Sequence, residues 1–559
     1  MRNPCTILLL LIPLCSQART LVVDVVSDEV FQPDFLGDAP NFGAFITYND
    51  ELYFTASIGQ EPLGHPSHRL FKTDGETLTR FEVDPGFHIG TQFVEFQGSL
   101  YFRGDSGNGI ELFRTDGVDL VEYDLSDDES GSWPRNFEVV GDRLYFGANR
   151  LGSDGTGGPS LMVLQDSVGS VVADVQVDTS YAWHASVDDT LYFSANGSDG
   201  YEVYRTDGQD VSLVVDANPG PGGSNPRPEG VLNDAFYFTA EDAGGRALYR
   251  ATPESVAQVL SSDVRLSAGL RDFGGRLYFS ADRGSGYELQ QTDGGEVRQF
   301  DLNPGPQSSN PLTYGGAVLN GQLLLPATGP EGAALFVFSE LGDLVRRIDI
   351  GDSQRPSAVY FQEAHGSLYF SVLGDGVARL YRTDGFSAEE IYSPPEVAGR
   401  RFISVYDSES LGGALFVPAT TEGGDGLLRI TEMEVEVLDL LPGQARSYPR
   451  NLEALGDQLV FMANGPDGES VYRLDGDGIH ELLRTTPYLT DIYGNGLLAP
   501  GATTTRFVRF QDQLLFLANT PKGFQLFRIQ AVPEPTTLHA AAIALVGCVP
   551  RRWRRSRSQ

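Results

Sequence analysis

Ser99-Leu100-Tyr101-Phe102-Arg103, followed by Ile110-Glu111-Leu112-Phe113-Arg114-Thr115-Asp116-Gly117, decides the fold of this 559-residue chain. Alternation in an extended strand puts Leu100 and Phe102 on one face and Tyr101 on the other. Gln97-Gly98 turns the chain before it, and Gln92–Phe96 reads as a preceding strand. Asp116-Gly117 is a hairpin turn, since Asp and Gly tolerate the positive φ of tight turns. Leu120–Asp124 is then the fourth strand of a four-stranded unit.

The unit recurs. Its apolar centre appears as Leu52-Tyr53-Phe54, Leu144-Tyr145-Phe146, Leu191-Tyr192-Phe193, Phe236-Tyr237-Phe238, Leu277-Tyr278-Phe279 and Leu368-Tyr369-Phe370. Weaker copies are Leu323-Leu324-Leu325, Leu415-Phe416-Val417, Leu459-Val460-Phe461 and Leu514-Leu515-Phe516. With the opening copy there are eleven, about 46 residues apart. A Thr-Asp-Gly turn follows at 73–75, 115–117, 206–208, 292–294 and 383–385, and Asn-Pro-Gly…Ser-Asn-Pro loops lie at 218–226 and 303–311. Aromatic and β-branched residues favour strands, and no stretch of the middle holds a 3.6-residue period. Four short strands at this period are the mark of a β-propeller blade.

The Thr-Asp-Gly and Asn-Pro-Gly-Pro segments resemble the ELWxxDGT-type repeat family, with Phe or Tyr in place of Trp. The resemblance covers about 41–530 and implies a propeller more than any activity. The expectation is therefore all-β: about eleven four-stranded blades. Leu21-Val22-Val23-Asp24 reads as a fourth strand without a blade, and the last unit, ending at Gln525–Ile529, lacks one. A leading strand that completes the last blade removes exposed edges. Familiar propellers have 4–8 blades, which favours two tandem rings over one large ring. The lack of a long linker favours one.

The ends carry different signals. Residues 1–18 hold a basic Arg2, an apolar run Ile7–Leu14 and small residues at Ser16 and Ala18, the pattern of a secretory signal peptide. At the other end, Val532-Pro533-Glu534-Pro535 precedes an apolar stretch Leu538–Val549 and the cations Arg551, Arg552, Arg554 and Arg555. This is a polar break, a short membrane-seeking helix and a positive cluster that stays on the cytoplasmic face. The apolar stretch is shorter than the ~20 residues of a stable span, which suits a tail held briefly and then cut. These residues resemble the PEP-CTERM sorting signal of bacterial surface proteins. That resemblance implies recognition of Pro533, Glu534, Pro535 and the arginine cluster by an exosortase-type membrane peptidase. It also implies a bacterium that makes extracellular polysaccharide or biofilm matrix. His539 and Pro550 depart from the usual tail. The expected organisation is 1–18 signal peptide, 19–531 repeat body and 532–559 sorting signal.

Composition narrows the chemistry. The chain has 76 Asp+Glu against 40 Lys+Arg, a net charge of −36, and only Lys72 and Lys522 as lysines. Nucleic acid, which is bound through cations, is excluded as a partner. Cys5, Cys15 and Cys548 all lie in the terminal segments. The body therefore has no disulfide framework or Cys-based zinc site, and carries 34 bases against 75 acids. There is no nucleophile elbow, phosphate loop or zinc-binding helix. His65 and His68 share a loop but lack a third ligand. Ser126–Trp133 approaches an Asp-box with its glycine one place late. Asp475-Gly476-Asp477-Gly478, Asn196–Gly200 and Asn464–Gly468 offer oxygens for calcium but read first as hairpin turns. Catalytic and cofactor residues are thus assigned to none.

The expected role is non-enzymatic: an exported protein, at the bacterial surface or in matrix, that binds polysaccharide or surface proteins through loops on a rigid scaffold. Two other readings are a propeller enzyme acting on extracellular polysaccharide and a calcium-stabilised adhesin. An enzyme site breaks the repeat locally, and the largest break is the stretch between Arg484 and Arg506.

Overall fold

A computed structural model describes residues 19–533, except 32–44, 61–65, 84–91, 108, 127–130, 150–158, 166–167, 178–183, 262–263, 267–269, 314, 351–359, 375, 398–400, 441–446, 466–467 and 486–505. All the regular elements are β-strands, and they form eleven antiparallel four-stranded blades in a β-propeller. Blades 1 to 5 span 45–81, 94–123, 135–177, 184–215 and 227–260. Blades 6 to 10 span 265–300, 317–349, 361–392, 409–438 and 450–484. Blade 11 combines 508–533 with the N-terminal strand Arg19–Val25. Blades 3 and 4 are further joined into one sheet by the pairs Gln176↔Asn196 and Val177↔Ala195. The inner strand of blade 6 is split into Arg265–Leu266 and Arg271–Phe273.

The alternation read from Leu100-Tyr101-Phe102 is what the blades use. Leu100 and Phe102 pack with Tyr53 of blade 1, whereas Tyr101 packs with Phe137, Leu144 and Phe146 of blade 3. Every blade therefore has two apolar faces, and each is covered by a neighbour. Eleven separate core clusters result, one for each consecutive pair of blades.

The last of these clusters corrects the two-ring expectation. Phe31, Leu52, Phe54 and Phe71 of the first repeat pack on Val508, Leu515, Leu517 and Leu526 of the last. Midway, blade 5 packs on blade 6 and blade 6 on blade 7, without a bare face. The chain closes one ring of eleven blades. Two rings would need two seams, and the apolar faces leave none over for a second.

The seam is closed by the leading strand, as its pattern suggests. Arg19–Val25 pairs with Gly523–Pro533 in a seven-pair antiparallel register from Arg19↔Pro533 to Val25↔Phe527. Phe31 N–H then donates to the carbonyl of Phe524, and Gln511 Nε2 reaches the carbonyl of Asp50 across the seam. The strand runs two residues past 531, so Val532 and Pro533 are part of the body's last sheet. The apolar helix expected over Leu538–Val549 lies outside the described residues. No helix among the described residues is long and apolar enough to cross a membrane.

Candidate functional site

The repeated motifs hold blades together. At four of the five Thr-Asp-Gly turns, the base or amide before the turn crosses to the turn of the next blade. Lys72 Nζ donates to the carbonyl of Gly117 at 2.8 Å, Gln291 Nε2 to Gly342 at 2.8 Å, and Arg382 Nη1 to Glu432 at 3.2 Å. At the seam, Arg528 Nη1 donates to the carbonyl of Gly75 at 3.0 Å and pairs with Glu76. Tyr53, Tyr145 and Tyr237 of the apolar centres lie against the turn glycines of the next blade. Gly208 has φ +90°, and a Cβ there would lie 2.7 Å from Tyr145 Oη of the preceding blade. Glycine is needed for both the backbone angle and the close approach. Within the turn, Asp207 Oδ1 accepts the backbone N–H groups of Gln209 and Asp210, and these bonds hold its carboxyl below its usual range. The acidic turns are thus closed by their own backbones.

A second set of carboxylates latches the loops between blades. Glu111 accepts from the N–H of Leu125 (3.1 Å), the N–H of Ser132 (3.0 Å) and Ser132 Oγ (2.5 Å). Glu288 likewise takes the N–H groups of Leu302 and Ser309, and Glu202 takes Ser224 Oγ at 2.5 Å. Ser224 and Ser309 belong to the Asn-Pro-Gly…Ser-Asn-Pro loops, which explains that element. All three glutamates are buried, and burial pushes their carboxyls up, Glu202 to about 6. The near-Asp-box at 126–133 is part of this latch, through Ser132.

Where the repeat breaks, a cleft of about 630 Å³ opens on the inner side of the ring. It is lined by Tyr406, Asp407 and Glu409 entering blade 9, Glu453 of blade 10, Arg506 ahead of blade 11, and Phe45 of blade 1. These are inner strands and the loops leading into them, on the face opposite the Asp-Gly turns. Tyr406 and Phe45 are 59% and 55% exposed. The ring of Tyr360 lies 5.2 Å from that of Tyr406, tilted by 57°, so two exposed tyrosines are in contact. Glu453 is ion-paired with Arg509 at 2.8 Å. Burial and the nearby Glu453 push the Glu409 carboxyl up. Asp407 accepts from Ser404 Oγ at 2.7 Å. Exposed aromatic rings beside fixed carboxylates and arginines bind polyhydroxylated ligands by stacking and by directed hydrogen bonds.

Of the residues expected to carry sorting, Glu534, Pro535, Arg551, Arg552, Arg554 and Arg555 lie outside the described residues, and Pro533 ends the last strand. His65 also lies outside them. Among the described residues there is no group of three or more His, Cys, Asp or Glu that could hold a metal. Asp475, in the densest acidic loop, accepts the N–H of Asp477 and pairs with Arg473 at 3.1 Å. The cleft residues Tyr406, Glu409 and Glu453, and Tyr360 beside Tyr406, are not singled out from the sequence. Their signal is local: the long stretch after Arg484 ends at Arg506, which lines the cleft.

No protein-family model matches the chain, and no curated protein does. Solved structures match weakly. Dipeptidyl peptidase 4 of Porphyromonas gingivalis aligns at 11% identity over 59% of this chain and 57% of its own, with a TM-score of 0.35. A prolyl endopeptidase aligns at 14% over 62% and 55%, TM-score 0.29, and the tricorn protease at 14% over 86% and 51%, TM-score 0.26. This chain thus spans little more than half the length of these proteins. Likenesses of this size add nothing to the fold argued from the blades themselves.

Proposed function

We propose that this chain is an exported bacterial propeller that binds without catalysis, acting at the cell surface or in the extracellular matrix. It is sorted through its PEP-CTERM-like tail by an exosortase-type peptidase. The observation that carries the binding role is the inner cleft, where Tyr406, in ring contact with Tyr360, lines one space with Glu409, Glu453 and Arg506. A neutral extracellular polysaccharide fits it: rings stack on tyrosine faces, and hydroxyls meet carboxylates and guanidinium groups. The acidic body, suited to solubility outside the cell, disfavours polyanionic glycans. A glycan-binding screen with the purified protein and Tyr406→Ala tests this. The parent retains a neutral glycan, and the variant loses at least tenfold in affinity. Binding unchanged in the variant removes the cleft from the reading.

The Glu409–Glu453 pair favours a second reading, a polysaccharide-cleaving propeller. Glu409, pushed up by burial and by Glu453, suits a general acid, with Glu453 ion-paired to Arg509 beside it. Release of reducing ends by the parent and its loss in Glu409→Gln would establish catalysis.

A further inference from the structure

The two faces of the ring differ in a way that the cleft does not use. The described turns joining third to fourth strands lie on one face, beside the turns joining first to second strands. Asn49 Nδ2 of blade 1 reaches the carbonyl of Asp116 in the turn of blade 2, and Arg276 Nη1 of blade 6 that of Glu340 in blade 7. At the apex of this turn, three consecutive blades present a large apolar side chain. Leu341 of blade 7 is 74% exposed, Phe386 of blade 8 69% and Met433 of blade 9 90%. Blade 2 presents Val118 at the same place. The corresponding residues of blades 1 and 4 are Glu76 and Gln209.

These tips sit on closed turns. Phe386 N–H donates to Asp384 Oδ1 at 2.8 Å, Gly342 N–H to the carbonyl of Ser339 at 2.8 Å, and Met433 N–H to Thr431 Oγ1 at 3.4 Å. Behind Phe386, the Arg346 guanidinium lies 3.9 Å from the ring centroid and donates to the carbonyl of Gly385 at 3.0 Å. An apolar tip with a cation one layer behind it matches the depth profile of a lipid interface, with acyl chains outermost and headgroups behind.

The described part of the chain begins and ends on the same face. Arg19 and Pro533 are paired where the other blades carry the third-to-fourth turn. In the sequence, Leu538–Val549 and the arginine cluster come within a few residues after Pro533.

We infer that the Asp-Gly-turn face is the membrane-facing side of the ring, and that Leu341, Phe386 and Met433 dock it on a zwitterionic lipid bilayer. The inference rests on the reading of the tail as membrane-seeking. A second copy of this chain fits less well. The tips belong to separate blades and are flanked by acids such as Glu340, Asp384, Glu432 and Glu434, so they form no continuous patch to pack against a rigid, like-charged surface. A fluid bilayer accepts separate tips. The same acids disfavour anionic lipid.

All eleven blade interfaces are complete by Pro533, so a chain of residues 19–533 keeps the ring and isolates the face from the tail. The test is flotation of this chain with vesicles of phosphatidylcholine and phosphatidylethanolamine. The ring floats with them, and less so when phosphatidylserine is added. The triple variant Leu341→Ser, Phe386→Ser, Met433→Ser lowers the bound fraction at least tenfold. Leu373→Ser, on the opposite face, leaves it unchanged. Unaltered melting curves show that both variants fold. A parent ring that stays at the bottom of the gradient, or a triple variant that floats equally, overturns the inference. So does a lipid-independent dimer that the triple variant abolishes, which would assign the face to a second copy. If the ring stays down but the full-length chain floats, the tail reading stands while the face assignment falls. If neither floats, both fall.

Discussion

Gly208 shows how a repeated residue type can be structural in one copy and nearly free in another. Its positive φ and the approach of Tyr145 Oη both forbid a side chain. Gly208→Ala should cost about 2–3 kcal/mol in denaturant unfolding, because strain and overlap add. Gly98→Ala meets no neighbour at its added Cβ and carries only the strain of φ +68°, so it should cost about 1 kcal/mol. Glu202 gives a pH signature. Its folded carboxyl titrates at about 6, raised chiefly by burial. The folded state therefore holds a proton that the unfolded chain has already released. The resulting stability is fully present below the ordinary glutamate range of about 4.3 and is lost as pH rises through 6. Unfolding free energy measured from pH 4 to 7 should fall by on the order of 2 kcal/mol from this group. Glu202→Gln should remove that slope. The Asp-Gly turns were legible in sequence because each is closed by its own backbone. The latch was not, because Glu111 and Ser132 are 21 residues apart and meet only across the loop.

At the scale of strands, the seam carries a special load. The strand Gly523–Pro533 is an inner member of its sheet only because Arg19–Val25 covers it. Deleting 19–25 would unpair the seven residues 527–533 and leave them as an edge. The shortened protein should associate through that edge, running as dimers or aggregates in size-exclusion chromatography, with a lowered melting point. The seam core makes the same point by packing. Phe54 is fully buried between blades 1 and 11, and Phe54→Ala should cost about 3–5 kcal/mol. A loss below 1 kcal/mol would mean that blades 1 and 11 do not seal in solution. The closing strand was readable from its position before the first full repeat. That it closes one ring and not the first of two was not readable, since every repeat ends in a similar fourth strand.

The whole ring is an acidic, cysteine-free body with different business on each face: a cleft among inner-strand loops on one, turn tips and both ends of the described chain on the other. Ending the chain after Pro533 should leave the melting curve unchanged and turn tight membrane association into reversible docking that washing removes. Unfolding of the shortened protein would show that the tail belongs to the fold. Because the described acidic turns satisfy their carboxylates internally, calcium and chelator should give the same melting midpoint; a rise of several degrees with calcium would favour the adhesin reading. The sequence alone determined the blade, its number and its strand order, because period-two alternation and closed turns are local properties. Only the tertiary structure decided the single ring, the buried latches and the cleft. The latches depend on loops folding back over some twenty residues, and the ring and cleft on residues hundreds of positions apart, Phe45 and Phe507 among them, lining one space.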